Sequence, residues 1–194
     1  KNDYQIKGFI KNTRLDLFNK SRVKDLNFLF DVTKNKYALS KIHAIFNTIK
    51  FNSPFIQIEE KKNLYLIDGT LLSKDQKLEI NDLKPIFGNL LNNFDIKNVE
   101  FSSKNNFSFN INKKLKLDKL EIETILDLDQ LTLIEKRINL KPYFQNVKEE
   151  IKFENHKIKI DYNKDKLIVK GSGNISLTDK VEKLFYEIIK NDDQ

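Results

Sequence analysis

From Phe107 to Leu126 the chain reads FSFNINKKLKLDKLEIETIL, with apolar and polar residues alternating almost without pause. Successive side chains of a strand leave the backbone on opposite faces, so this pattern predicts half-buried β-strands. Phe107, Phe109 and Ile111 share one face. Leu115 and Leu117 follow, then Leu120 and Ile122, with a turn expected near KKLKLD or LDKLE.

The same pattern fills most of the chain. YQIKGFI (4–10), RLDLF (14–18) and DLNFLFDV (25–32) alternate, the last with Leu26, Phe28, Phe30 and Val32 on one face. TKNK (33–36) predicts a turn before a strand over Tyr37–Phe46. PFIQIEE and NLYLIDGTLL predict a hairpin over EKKN. Further strands are predicted at NVEFSS, ILDLDQLTLIEK, EEIKFEN, HKIKIDY, KLIVKGSG and NISL, with NKDK (163–166) as a turn signal. That makes about a dozen strands of ordinary length. Their connections are too short for crossover helices, which predicts an antiparallel meander.

Two segments change period. INDLKPIFGNLLNNF spaces Leu83, Ile86, Phe87, Leu90 and Leu91 as one helix face, predicting a short helix over about 81–93 capped by Asn81 or Asp82. TDKVEKLFYEIIKNDD spaces Val181, Leu184, Phe185, Ile188 and Ile189 likewise. It predicts a C-terminal amphipathic helix over about 178–191. The fold class expected is therefore mainly β: a long, bent antiparallel meander, groove-like, with one internal and one C-terminal helix. Residues 1–194 read as a single elongated β-rich segment of a longer protein.

Composition removes several function classes. The 194 residues include no cysteine, which excludes disulfides, thiolate metal sites and a cysteine nucleophile. His43 and His156 each stand alone in an alternating segment and read as surface residues rather than metal ligands. Asp127 and Asp129 lie on one strand face, but a calcium loop needs more oxygen ligands and a glycine turn. KGSGN (170–174) has no helix N-terminus to complete a phosphate cradle, so close packing or a bulge explains its glycines better. No catalytic motif is found; no enzyme, metal or cofactor is expected. No apolar run reaches the ~18–20 residues of a membrane helix.

The net charge of +7 raises nucleic acid or an anionic membrane as partners. Only three arginines, Arg14, Arg22 and Arg137, are present, and lysines are spread along the strands, so no nucleic acid is expected. What remains is the apolar face itself. A second sheet could cover it, or it could line a trough for lipid.

YQIKGFIKN, the run LNFLFDVTKNKYALSKIHAIFNTIKFNSPFIQIEEKKNLYLIDGTL and the closing DYNKDKLIVKGSGNISLTDKVEKLFYEI resemble the AsmA-like proteins of Gram-negative envelopes, the group that includes the YhdP and TamB types. The resemblance implies a taco-shaped sheet whose hydrophobic groove carries phospholipid acyl chains between membranes, supporting outer-membrane biogenesis. It implies a periplasmic location, with inner-membrane anchoring through a part of the protein beyond this chain. It brings no catalytic residue. The groove face it implies falls on Phe28, Phe30, Phe107, Phe109, Ile111, Leu115 and Leu117. The alternatives are a structural β-domain with a closed core and no ligand, and a basic nucleic-acid-binding β-domain.

Overall fold

The computed structural model describes residues 4–16, 22–87, 94–135 and 146–191. Ten strands form one sheet: β1 (Gln5–Asp16), β2 (Arg22–Thr33), β3 (Lys36–Phe46), β4 (Ile49–Lys61), β5 (Leu64–Leu78), β6 (Phe94–Asn112), β7 (Leu117–Glu135), β8 (Glu150–Tyr162), β9 (Lys166–Ser176) and β10 (Glu182–Asn191). Among the described residues one short helix, α1 (Ile80–Phe87), lies between β5 and β6 in the chain. Spatial order equals chain order, and every pair is antiparallel. The expected meander is therefore present as an open ten-stranded sheet.

Ten strands replace the expected dozen because several predicted breaks are bulges or continuations, NVEFSS joining FSFNIN in β6 among them. QIKGFI and the described RLD of RLDLF are both parts of β1, with a register shift between Ile10 and Thr13. EEIKFEN and HKIKIDY merge into β8, shifted between Glu154 and Lys157. KLIVKGSG and NIS run on as β9 without interruption.

Six of the bulges follow one rule. Asn12, Asp25, Lys41, Asp75, Lys119 and Asn155 all have φ between 48° and 53°. Each sits just before a residue that returns to the apolar face after a gap of three: Ile10 to Thr13, Val23 to Leu26, Leu39 to Ile42, Ser73 to Gln76, Leu117 to Leu120, Phe153 to His156. A gap of three would flip a regular strand's side chains to the wrong face. The extra residue of a bulge absorbs the flip and adds local twist. Side chains capture the backbone groups freed there: Asn12 N–H donates to Asn27 Oδ1 at 3.0 Å, and Asp75 N–H to Ser102 Oγ at 3.0 Å.

The predicted C-terminal helix is corrected to strand β10. Glu182–Asn191 pairs with β9 at ten consecutive positions, from Glu182 opposite Ile175 to Asn191 opposite Lys166. The stripe of Val181, Leu184, Phe185, Ile188 and Ile189 also contains a period-two reading, Leu184, Tyr186 and Ile188. Aromatic and β-branched residues favour strands, and the free edge of β9 supplies partners for the backbone. Phe185 and Ile189 then point away from the apolar face and are exposed.

The internal helix is confirmed over Ile80–Phe87, while residues 88–93 of the predicted span lie outside the described residues. Its cap differs from the expectation. Glu79 precedes the helix, and the Asp82 carboxylate reaches back to accept its backbone N–H at 2.9 Å. That is the return half of a capping box, placed one turn earlier than Asn81 or Asp82 as caps would require.

Among the described residues only four apolar side chains are buried: Ile49, Leu78, Leu83 and Leu128. The accessible surface is 13980 Å², against roughly 9,600 Å² for a compact monomer of 23.0 kDa. Among the described residues the only cover on the sheet is α1, whose Leu83 packs with Ile49 and Leu78 at one end.

Candidate functional site: one apolar face

Cross-strand partners share a face, so the registers trace it through the sheet. It begins with Ile6, Gly8 and Ile10 on β1 and passes through Phe28, Phe30 and Val32 on β2. Tyr37, Leu39 and Phe46 of β3 meet Ile58, Ile56 and Ile49 of β4. Ile67 and Leu78 of β5 face Phe109 and Val99 of β6. Leu126 and Leu128 of β7 face Ile158 and His156 of β8, and Val169 of β9 faces Ile188 of β10. All ten strands contribute.

Aromatic rings lie on this face across glycines of the neighbouring strand, and the His156 imidazole stands against Gly173 in the same way. Phe30 covers Gly8, Phe107 covers Gly69 and Tyr186 covers Gly171; a β-carbon on any of these glycines would collide with the ring. Of the two explanations offered for the glycines of KGSGN, close packing is what Gly171 and Gly173 show. Laying bulky rings flat over glycine keeps the face smooth and pins the register. Phe107 and Phe109 stack at 5.9 Å between centroids.

The face is not apolar throughout. Ser53, Ser73, Ser103, Asn105 and Thr124 form a polar strip across β4 to β7. Thr124 Oγ1 donates to Asn105 Oδ1 at 2.8 Å, and Asn105 Nδ2 donates to Ser103 Oγ at 3.1 Å. On the helix side of this strip lies a cavity of about 550 Å³. Phe46, Phe51, Phe101, Leu126, Leu131 and Ile158 line it, with Leu83 of α1 at its wall. Strands β3 and β8 stand five places apart, about 24 Å in a flat sheet, yet side chains of both line this one space.

Of the residues expected to form a groove, Phe28, Phe30, Phe107, Phe109, Ile111 and Leu117 lie on the apolar face, Leu117 directly opposite Ile111. None of them lines the cavity. Leu115 is corrected: it is no strand residue but the tip of the β6–β7 turn, with φ 58° and 81% exposed. Its N–H donates to Asn112 O at 2.9 Å, closing the turn. The cavity residues were missed although Phe101, Leu126 and Leu128 alternate as clearly as Phe107 does. What singles them out is the α1 crossover, which a strand's own period does not reveal.

The two histidines part company. His43 is half-buried and meets Asn52 Oδ1 at 3.0 Å, as a hydrogen-bonded strand residue should. His156 is corrected from surface to interior: it is 1% exposed, between Phe153 and Tyr186. Its Nε2–H donates to Asn174 O at 2.8 Å, since a carbonyl only accepts. Burial in the same cluster raises the Tyr186 phenol above its ordinary pKa.

Few charged groups share this face: Glu60, opposite Tyr65, and Glu182 and Lys190 of the edge strand β10 lie at its margins. Glu123 is held below the usual carboxylate range by hydrogen bonds from Lys159 and Asn106, and Asp16 by its hydrogen bond from Arg22. Among the described residues no group of three or more histidines and carboxylates could hold a metal ion. Comparison with known proteins gave no match to any protein-family model, curated protein or solved structure.

Proposed function

We propose that the apolar face binds lipid acyl chains, with the cavity beneath α1 as its deepest seat, and that the chain is a non-enzymatic lipid-conducting segment. One observation carries this reading: an apolar face crosses all ten strands, and α1 alone covers any of it among the described residues. A large exposed apolar surface marks a binding site or an interface. An acyl chain matches the chemistry, because burying it yields about 0.8 kcal/mol per CH₂, on the order of 10 kcal/mol per chain. The curl implied by strands that line one cavity from five places apart suits a groove better than a flat wall. On the resemblance to AsmA-like proteins, the setting we propose is the periplasm of a Gram-negative envelope, with phospholipid passing between membranes.

Native mass spectrometry of the purified chain tests this. Bound phospholipid is expected, and Phe101→Asp together with Leu126→Asp should abolish it. A chain that emerges lipid-free from a lipid-rich host, and takes up none from micelles, overturns the reading.

A further inference from the structure

The two ends of the strands differ in kind. At one end lie four short turns, taken with the strand ends that flank them: residues 33–36, 61–63, 113–116 and 163–166. These four tips hold nine lysines and one aspartate, a net charge of +8. The whole chain carries +7, so everything outside the tips sums to −1. All these lysines are exposed, and Lys61 alone is seen in an ion pair, with Glu59 at 2.9 Å. Charges at the opposite end are cross-paired instead: Arg22 with Asp16, Lys97 with Glu150, Lys148 with Asp179.

Beneath the lysines runs a row of tyrosines. Tyr37, Tyr65 and Tyr162 each stand within two residues of a tip, and Tyr4 lies against the first tip, beside Thr33 and Lys34. They share the apolar face: Tyr37 is opposite Val32, Tyr65 opposite Ile111 and Tyr162 opposite Ile122. Tyrosine suits a boundary where one end of the side chain is dry and the other wet. Beyond the row, Leu115 sits at the tip of KKLK. β7 runs five residues past Ile122, the partner of the last β8 residue, or about 17 Å farther. A left-handed turn position favours Gly or Asn, so the turn itself gives no reason for leucine there.

We infer that this end is a docking surface for an anionic bilayer: the lysine tips meet the headgroups, Leu115 enters the acyl boundary, and the tyrosines sit at the interface. Lysines near an anionic surface attract it additively, and an apolar residue among them anchors the contact. The docking end is a different part of the molecule from the cavity and stands whether or not the face holds lipid.

Flotation of the chain with vesicles tests it, with pure phosphatidylcholine compared against phosphatidylcholine mixed with phosphatidylglycerol. Binding is expected to the anionic vesicles only, and to fade with added salt. Lys113→Gln, Lys114→Gln and Lys116→Gln together should weaken it about a hundredfold. Lys24→Gln, Lys84→Gln and Lys180→Gln, an equal loss of charge toward the other end, should leave it unchanged. Leu115→Asn, which suits the turn better, should weaken binding without lowering the melting temperature. Equal binding to neutral vesicles, equal loss in the two triple variants, or tighter binding to an RNA oligonucleotide than to anionic vesicles at the same salt overturns the inference.

Discussion

The Phe107 ring lies across Gly69 of the adjoining strand, its Cζ 2.8 Å from where a β-carbon on that glycine would stand. Ile56 and the Phe55 carbonyl close the same space at 3.0 Å. The backbone carbonyl cannot swing aside as a side chain could. Gly69→Ala is therefore expected to destabilise by about 1–3 kcal/mol through overpacking, although alanine elsewhere in a strand improves on glycine. Urea unfolding of the two proteins reads the difference as a lower midpoint at unchanged slope.

Leu83 is the buried anchor of α1. Leu83→Ala should cost about 2–3 kcal/mol, the lower part of the range for buried leucines, because the cavity beside it is already open. Hydrogen exchange should show the backbone of Ile80–Phe87 losing protection before β6 and β7 do.

Asn155 has φ 53°, where a β-branched residue is strained. Asn155→Val should destabilise by about 1–2 kcal/mol, whereas Asn155→Gly should be close to neutral. Thermal melts of both variants separate backbone strain from the loss of the amide. If the amide mattered more, glycine would be as harmful as valine.

The surface pairs fix how stability follows pH. Glu59, Glu123 and Glu150 are held below 4.5, mainly by hydrogen bonds from Lys61, Lys159 and Lys97. A carboxylate whose folded pKa is lowered contributes stability above its unfolded value, which is lost as pH falls through the lowered one. Lys159 is raised above 10.5 by Glu123 and Asp161, so its contribution is full below 10.5 and is lost as pH rises through the raised value. The melting temperature should be flat between these limits and decline on the acid side below about 4.5. Glu123→Gln should shallow the acid limb, and high salt should shrink both limbs because every partner is exposed.

The alternating segments were legible because burial on one face of an open sheet imposes the period directly. Phe28, Phe30, Phe107, Phe109 and Ile111 could be assigned to a face from the chain alone, and the turns at TKNK, EKKN and NKDK stood out by their lysines and asparagines, while the turn after Ile111 was narrowed only to KKLKLD or LDKLE. Glu182–Asn191 misled because EKLFYEII satisfies both periods over so short a length. The free edge of β9, a partner from elsewhere in the chain, decided between them. Leu115 continued the alternation by one step past the point where Asn112 turns the chain. The flat rings over Gly8, Gly69 and Gly171 could not be foreseen, since each depends on a register between two strands. His156 was misjudged for a related reason: the bulge at Asn155 rotates it onto the apolar face.

The six bulges also bear on how so long a sheet avoids misassembly. A strand that slides past its neighbour by two residues keeps every apolar side chain on the correct face, so alternation offers no defence against such a slip. A slip of that size would set each bulge against a regular pair and strand the groups that now bind Asn27 and Ser102. The irregularities thus act as keys cut into six of the strands, and a ribbon of near-interchangeable segments is held to one alignment wherever a key is present.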